Sequence, residues 1–309
     1  MQRRALLLGL SVVACGPKPI AAPPAAPRVT SAAETIPSDL DVVVRVDLAS
    51  MRAALGAVGL SAAASGLLAH AKAYGGDADP ASKVIAASFL EADTVYLGYR
   101  PSPTWAPLDR VLALQGHFAQ LVQPPAGFSA ATDLGGDVRY WDAKAKPARD
   151  GVARIYGFGE RLRVFVSEAE IDAVERMLDG LSGPRRLEPM EEGTLSLAAR
   201  PLVLGRLAGQ GRLRELLQSA LVLRAVMAFE GGGLRVKAEL LLDGPESAQE
   251  LADAGQMVLV RALGAAAPAA QLRVGGDRLL LSILITNQQL ATLLGCFGLG
   301  SASAQACPW

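Results

Sequence analysis

Three cysteines, two histidines and thirty carboxylates are the side chains here that could ligate a metal, attack as nucleophiles or move protons. Their spacing supports little of that chemistry. His70 and His117 form no His-Glu-x-x-His motif, and Cys15, Cys296 and Cys307 form no Cys-x-x-Cys pair, so zinc and thiol-redox chemistry have no local signature. A Gly-x-Ser-x-Gly elbow and a Ser-x-x-Lys pair are also missing. Gly157-Phe158-Gly159 and Gly209-Gln210-Gly211 each lack the third glycine of a dinucleotide fingerprint and read as turn glycines. Asp77-Ala78-Asp79 lacks the glycine and final Glu of a calcium loop and reads as a solvated turn. No cofactor or metal is expected. Paired Asp and Glu residues need no local motif, so carboxylate chemistry stays open.

The sharpest signal is at the start of the chain. Gln2-Arg3-Arg4 is basic, Ala5 to Ala14 is apolar apart from Gly9 and Ser11, and Cys15 follows at once. A basic segment, a short apolar core and a small residue before a cut describe a secretory signal. The core is far shorter than the roughly 20 residues needed to span a bilayer. Val12-Val13-Ala14-Cys15 resembles the lipobox of bacterial lipoproteins, with Val12 where Leu is usual. The resemblance covers these fifteen residues. It implies cleavage before Cys15, a diacylglyceryl group on its sulfur and acylation of the new amino terminus. Acyl burial contributes about 0.8 kcal/mol per methylene, so several chains on one residue make a lasting membrane anchor.

Residues 15–37 follow as a tether. Pro17, Pro19, Pro23, Pro24, Pro27 and Pro37 alternate with Ala, a composition that cannot form a core and favours extended polyproline geometry. With Cys15 acylated, Cys296 and Cys307 remain as an even pair in an exported protein, and a disulfide between them is expected, at about 3 kcal/mol for so short a loop. Lys plus Arg and Asp plus Glu balance at 30 each, which gives no support for nucleic acid as a partner.

From residue 38 onward the pattern is α+β. Val42, Val44, Val46 and Leu48 alternate as a half-buried strand. A helix is expected over Pro80–Leu90, and strands over Thr94–Arg100, Arg110–Gly116, Val138–Asp142, Val152–Phe158 and Arg161–Val166. Phe118–Val122 reads as a short helix or turn. Ser167 and Glu170 suit a capping box for a helix with Ile171, Val174, Leu178 and Leu181 on one face. After residue 190 come a strand over Thr194–Ala199, a helix from Pro201 to Gln218, a hairpin of Leu221–Glu230 and Leu234–Leu242, and a helix after Asp243. A last hairpin, Gln271–Val274 with Arg278–Ile285, leads to a Thr286-Gln289 cap. Leu234, Val236, Ala238 and Leu240 alternate with Arg235, Lys237 and Glu239, as in an antiparallel sheet with one wet face.

The two halves read as one plan used twice. Gly159-Glu160-Arg161-Leu162 leads through a strand to Ser167, and Gly276-Asp277-Arg278-Leu279 leads through a strand to Thr286. The expected architecture is two similar modules of antiparallel sheet, 38–190 and 191–309, with helices packed on one face and an internal duplication behind them. This arrangement is similar to two-repeat α+β envelope lipoproteins of high-GC bacteria, a likeness that implies no activity.

Twelve of fifteen aromatic residues precede residue 190. Most suit a core, but Trp105 in a Pro-rich loop and Trp141 beside Asp142 are candidate ligand contacts. Taken together, the sequence points to a non-enzymatic binding or scaffold module, lipid-anchored in the bacterial envelope at the outer membrane and facing the periplasm or the surface. Its partner would be an envelope protein, a peptide or a glycan. The alternatives are an envelope hydrolase with paired carboxylates and a lipid or lipoprotein carrier with an apolar cavity.

Overall fold

The computed structural model describes residues 29, 31–54, 81–101, 107–121, 123–148, 151–181, 187–200, 212–230, 233–263 and 270–286. The signal segment, most of the tether, Cys15, His70, Trp105, Cys296 and Cys307 lie outside them, as do Asp77–Asp79, the start of the Pro201 helix and the helix expected after Thr286.

The strands are β1 (Val42–Asp47), β2 (Ala92–Pro101), β3 (Pro107–Gly116), β4 (Thr132–Gly135), β5 (Val138–Asp142), β6 (Arg154–Phe158), β7 (Leu162–Val166), β8 (Leu195–Ala199), β9 (Val222–Glu230), β10 (Gly233–Leu241), β11 (Ala270–Gly275) and β12 (Arg278–Thr286). The helices are α1 (Ala81–Glu91), α2 (Ile171–Leu178), α3 (Arg212–Ser219) and α4 (Pro245–Leu263). Residues 48–54 are also helical. The fold is thus α+β, built on one large antiparallel sheet of order β11-β12-β10-β9-β8-β1-β2-β3-β7-β6-β5-β4. β1 and β8 pair at its centre, with Val42 opposite Ala199. Outward from that pair the order runs β1-β2-β3-β7-β6 on one side and β8-β9-β10-β12-β11 on the other. β5 and β4 extend the first side.

Helices cover both faces of the first half, not the single face expected. On one face the 3-10 turn Ala32–Thr35, Ile36, Leu40 and α2 residues Val174 and Leu178 pack over Val43, Val111, Val164 and Val166. On the other, Met51 and α1 residues Val84, Ile85 and Phe89 pack with Val95, Leu114, Ile155 and Phe165. The reason lies in β7, whose five residues are all buried. A strand apolar on both sides must be covered twice. In the second half, Ala248, Leu251 and Ala252 of α4 pack on Leu240, Leu242 and Leu279. Its opposite face carries exposed Lys237 and the pairs Arg235–Glu230 and Arg278–Glu239, each at 2.6 Å.

Local differences from expectation have local causes. Ala32, Thr35 and Ile36 are buried, so the chain joins the fold within the stretch read as tether. Phe118–Leu121 is neither helix nor turn. The Ser167–Glu170 box does not form. Ser167 Oγ instead accepts the Arg110 N–H at 2.9 Å, and Glu170 bonds Arg100, so a 3-10 turn, Glu168–Glu170, precedes α2. The helix then ends at Leu178, because Gly180 takes a positive φ of 74° and the Leu181 N–H reaches back to the Arg176 carbonyl. That is a left-handed helix stop, and it leaves Leu181 70% exposed, off the apolar face.

Candidate functional site

Trp141 is the sequence-flagged residue that the structure describes, and it is 2% exposed. It packs in the core with Phe128, Ile155 and Phe165, so its bulk serves the interior. Its ring also lies against Gly157, where an added Cβ would come within 3.1 and 3.2 Å of ring carbons. Gly157 is therefore no turn glycine. It stands mid-strand in β6 because the indole occupies the space a side chain would need. The following Gly159, at φ 55°, does make the turn.

Around that ring a shallow, solvent-open recess is lined by Gln120, Leu121, Asp137, Arg139, Trp141, Gly157, Gly159 and Arg163. The sheet register builds it. Arg139 on β5 lies opposite Gly157 on β6, which lies opposite Arg163 on β7. Residues directly opposite share a face, so two guanidiniums flank one glycine. Arg163 is 5% exposed. It donates through Nη1 to Ser88 Oγ at 2.6 Å and through Nη2 to the Ala119 carbonyl, and its guanidinium lies 4.7 Å from the centre of the Phe118 ring. Burial works against its charge and lowers its pKa. Arg139 makes a long 3.8 Å pair with exposed Asp133. The indole N–H of Trp141 is buried and has no hydrogen-bond acceptor among the described residues.

A second polar cluster bears on carboxylate chemistry. Arg100 at the end of β2 bonds Asp39 through Nη2 at 2.8 Å and buried Glu170 through Nε at 3.0 Å. Across the sheet centre, Arg200 donates its backbone N–H to the Asp41 carbonyl at 2.8 Å and reaches the Asp41 carboxylate at 3.5 Å. Glu170 and Asp39 share one guanidinium, so both act as its counter-ions, and the cluster ties strand ends on both sides of the β1–β8 seam. Burial pushes the Glu170 carboxyl up, with the Arg100 charge opposing. An acid with a raised folded pKa binds its proton more tightly when folded. Its stabilising share is then full below the unfolded value of about 4.3 and is lost as pH rises through the folded value. Glu170→Gln should therefore lose less stability than the unsubstituted protein on going from about pH 4 to neutral. Urea midpoints against pH would check this, and parallel profiles would contradict it.

On the face opposite the recess, Arg154 bonds Asp142 at 2.6 Å, Tyr156 at 3.2 Å and Glu175, and sits 4.2 Å from the Tyr140 ring centre. Tyr156 is fully buried, and burial pushes its hydroxyl up to about 12. This network is satisfied and structural. Among the described residues no group of three or more metal-ligating side chains occurs, and no helix is long and apolar enough to cross a membrane.

Sequence reasoning missed Arg139, Gly157, Arg163 and Gln120. The readable sign was Arg163 itself, a charge between Leu162 and Val164 in an otherwise apolar strand.

No protein-family model and no curated protein sequence matches the chain. Among solved structures, crystal form III of TP0453 superposes with a TM-score of 0.53 at 13% identity, over 86% of this chain and 98% of that one. Crystal form I of the same protein gives 0.52 at 13%, over 89% and 99%. At such identity the likeness concerns the fold alone.

Proposed function

We propose that the chain is a lipid-anchored, non-enzymatic binding module of the bacterial cell envelope, held at the outer membrane through Cys15. The observation that carries this reading is the run Arg3-Arg4, Ala5–Ala14, Cys15, followed directly by a Pro/Ala tether. A large sheet with an open, donor-lined recess beside Trp141 fits binding. The recess is shallow and of mixed polarity, which favours this reading over an apolar carrier chamber, and the shared Arg100 counter-ions favour it over a paired-acid hydrolase. Cys296 and Cys307 are proposed to bond. We also read the two halves as an internal duplication, supported by the matched strand orders on either side of the β1–β8 pair and by the parallel hairpins before Ser167 and Thr286.

Fractionation tests the anchor. The unsubstituted protein should sediment with membranes and resist an alkaline wash, while Cys15→Ser should be released to the soluble fraction. A Cys15→Ser variant that stayed membrane-bound would overturn the proposal.

A further inference from the structure

We infer that the recess over Gly157 is a carboxylate-binding site, in which Arg163 and Arg139 receive the carboxylate of a small acid or of a peptide terminus. This rests on the reading of the chain as a binding module and names the chemistry of its ligand.

Arg163 carries the argument. It is almost wholly buried, its direct contacts Ser88, the Ala119 carbonyl and the Phe118 ring are all uncharged, and the Glu91 carboxylate offsets the cost of burial from a distance without forming a salt bridge. A guanidinium does not shed its proton in a protein, so this charge persists at a place where charge is costly. Those two hydrogen bonds engage two of its five donors. Gly157 is the second observation. An added Cβ there would crowd the Trp141 ring at 3.1 and 3.2 Å, and without one the indole edge settles over the strand and floors the recess between the two arginines. Two strand spacings place their Cα atoms roughly 10 Å apart, within reach of two long side chains that converge on one group. Among the described residues Arg139 is held only by a long, exposed pair with Asp133, so it turns inward at little cost. Trp141 adds an unpaired buried donor on a residue of the lining, and Gln120 adds an amide.

Charge and size select the ligand. Two arginines and Asp137 leave the lining with a net charge of one, which matches a singly charged group. The recess is shallow and holds a planar carboxylate better than a bulky dianion, and the forked guanidinium suits carboxylate geometry.

The test is a titration of the full mature chain, nitrogen-15 labelled at tryptophan, with sodium acetate and with N-acetylalanine at constant ionic strength. N-acetylalanine amide and sodium chloride serve as controls. The Trp141 indole signal, assigned with Trp141→Phe, should shift saturably with either acid and with neither control. Tighter binding of N-acetylalanine than of acetate would mark a peptide terminus as the source, and equal binding a free small acid. Arg139→Gln removes a half-exposed side chain, should keep the urea midpoint, and should weaken binding about tenfold. Gly157→Ala, which displaces the indole, should also weaken binding. A linear, non-saturating response, an equal response to chloride, or unchanged affinity in Arg139→Gln would each overturn the inference. Membrane anchoring through Cys15 would stand or fall separately, because it is read from fractionation.

Discussion

Phe165→Ala should destabilise the protein by about 3–5 kcal/mol, the range for emptying a buried aromatic site. Phe165 is 1% exposed on β7, with Leu112 and Ile155 opposite it on the two neighbouring strands, and it shares a core cluster with α1 residues. Neighbours on three sides belong to regular elements, so the site cannot collapse to fill the space. Domains of this kind have about 5–15 kcal/mol in hand, so the loss should appear as a large fall in urea midpoint. Leu90→Ala, at a position 56% exposed on α1, is the control and should stay within about 0.5 kcal/mol. Similar midpoints for the two variants would mean that the face under α1 is not a packed interior.

Gly193→Ala should cost on the order of 3 kcal/mol, although it adds a single methyl group. Gly193 has φ 81°, a left-handed conformation that costs an L-residue roughly 1–2 kcal/mol. An added Cβ would also come within 2.4 Å of Val226 Cγ1 and 2.8 Å of the Met227 carbonyl oxygen. The first contact is to a stiff β-branched side chain and the second to backbone, so β9 itself must move. Thr194, next in the chain, donates to that same Met227 carbonyl, and its own carbonyl accepts the Asp47 N–H at the end of β1. The strain therefore falls where the second half joins the first. An unchanged thermal midpoint would contradict this placement of the seam.

Much of the sheet is legible because alternation and turn chemistry coincide. Val138–Asp142 is a strand with those same bounds, and the hairpins about Gly159 and Gly276 are present. β4 was not legible, since Thr132-Asp133-Leu134-Gly135 is short, polar and only locally paired. The pairing of β1 with β8 was not legible either. It joins residues 149 to 157 positions apart, and no local pattern specifies it. Local motifs misled where a distant group competed. Ser167 and Glu170 have the spacing of a capping box, but Arg110 and Arg100 take both side chains. The recess followed the same rule. Trp141 stood out as an aromatic beside an acid, while Arg139, Gly157 and Arg163 become neighbours only through the register of three strands.

The binding reading and the anchor meet at Cys15, because a tethered recess can serve the envelope only if the chain is held there. Mass spectrometry of the mature amino-terminal peptide tests that claim most directly. The account predicts a chain that begins at Cys15 and carries thioether-linked diacylglycerol and an amide-linked acyl chain. An unacylated amino terminus, whether at Met1 or at any processed position, would contradict it.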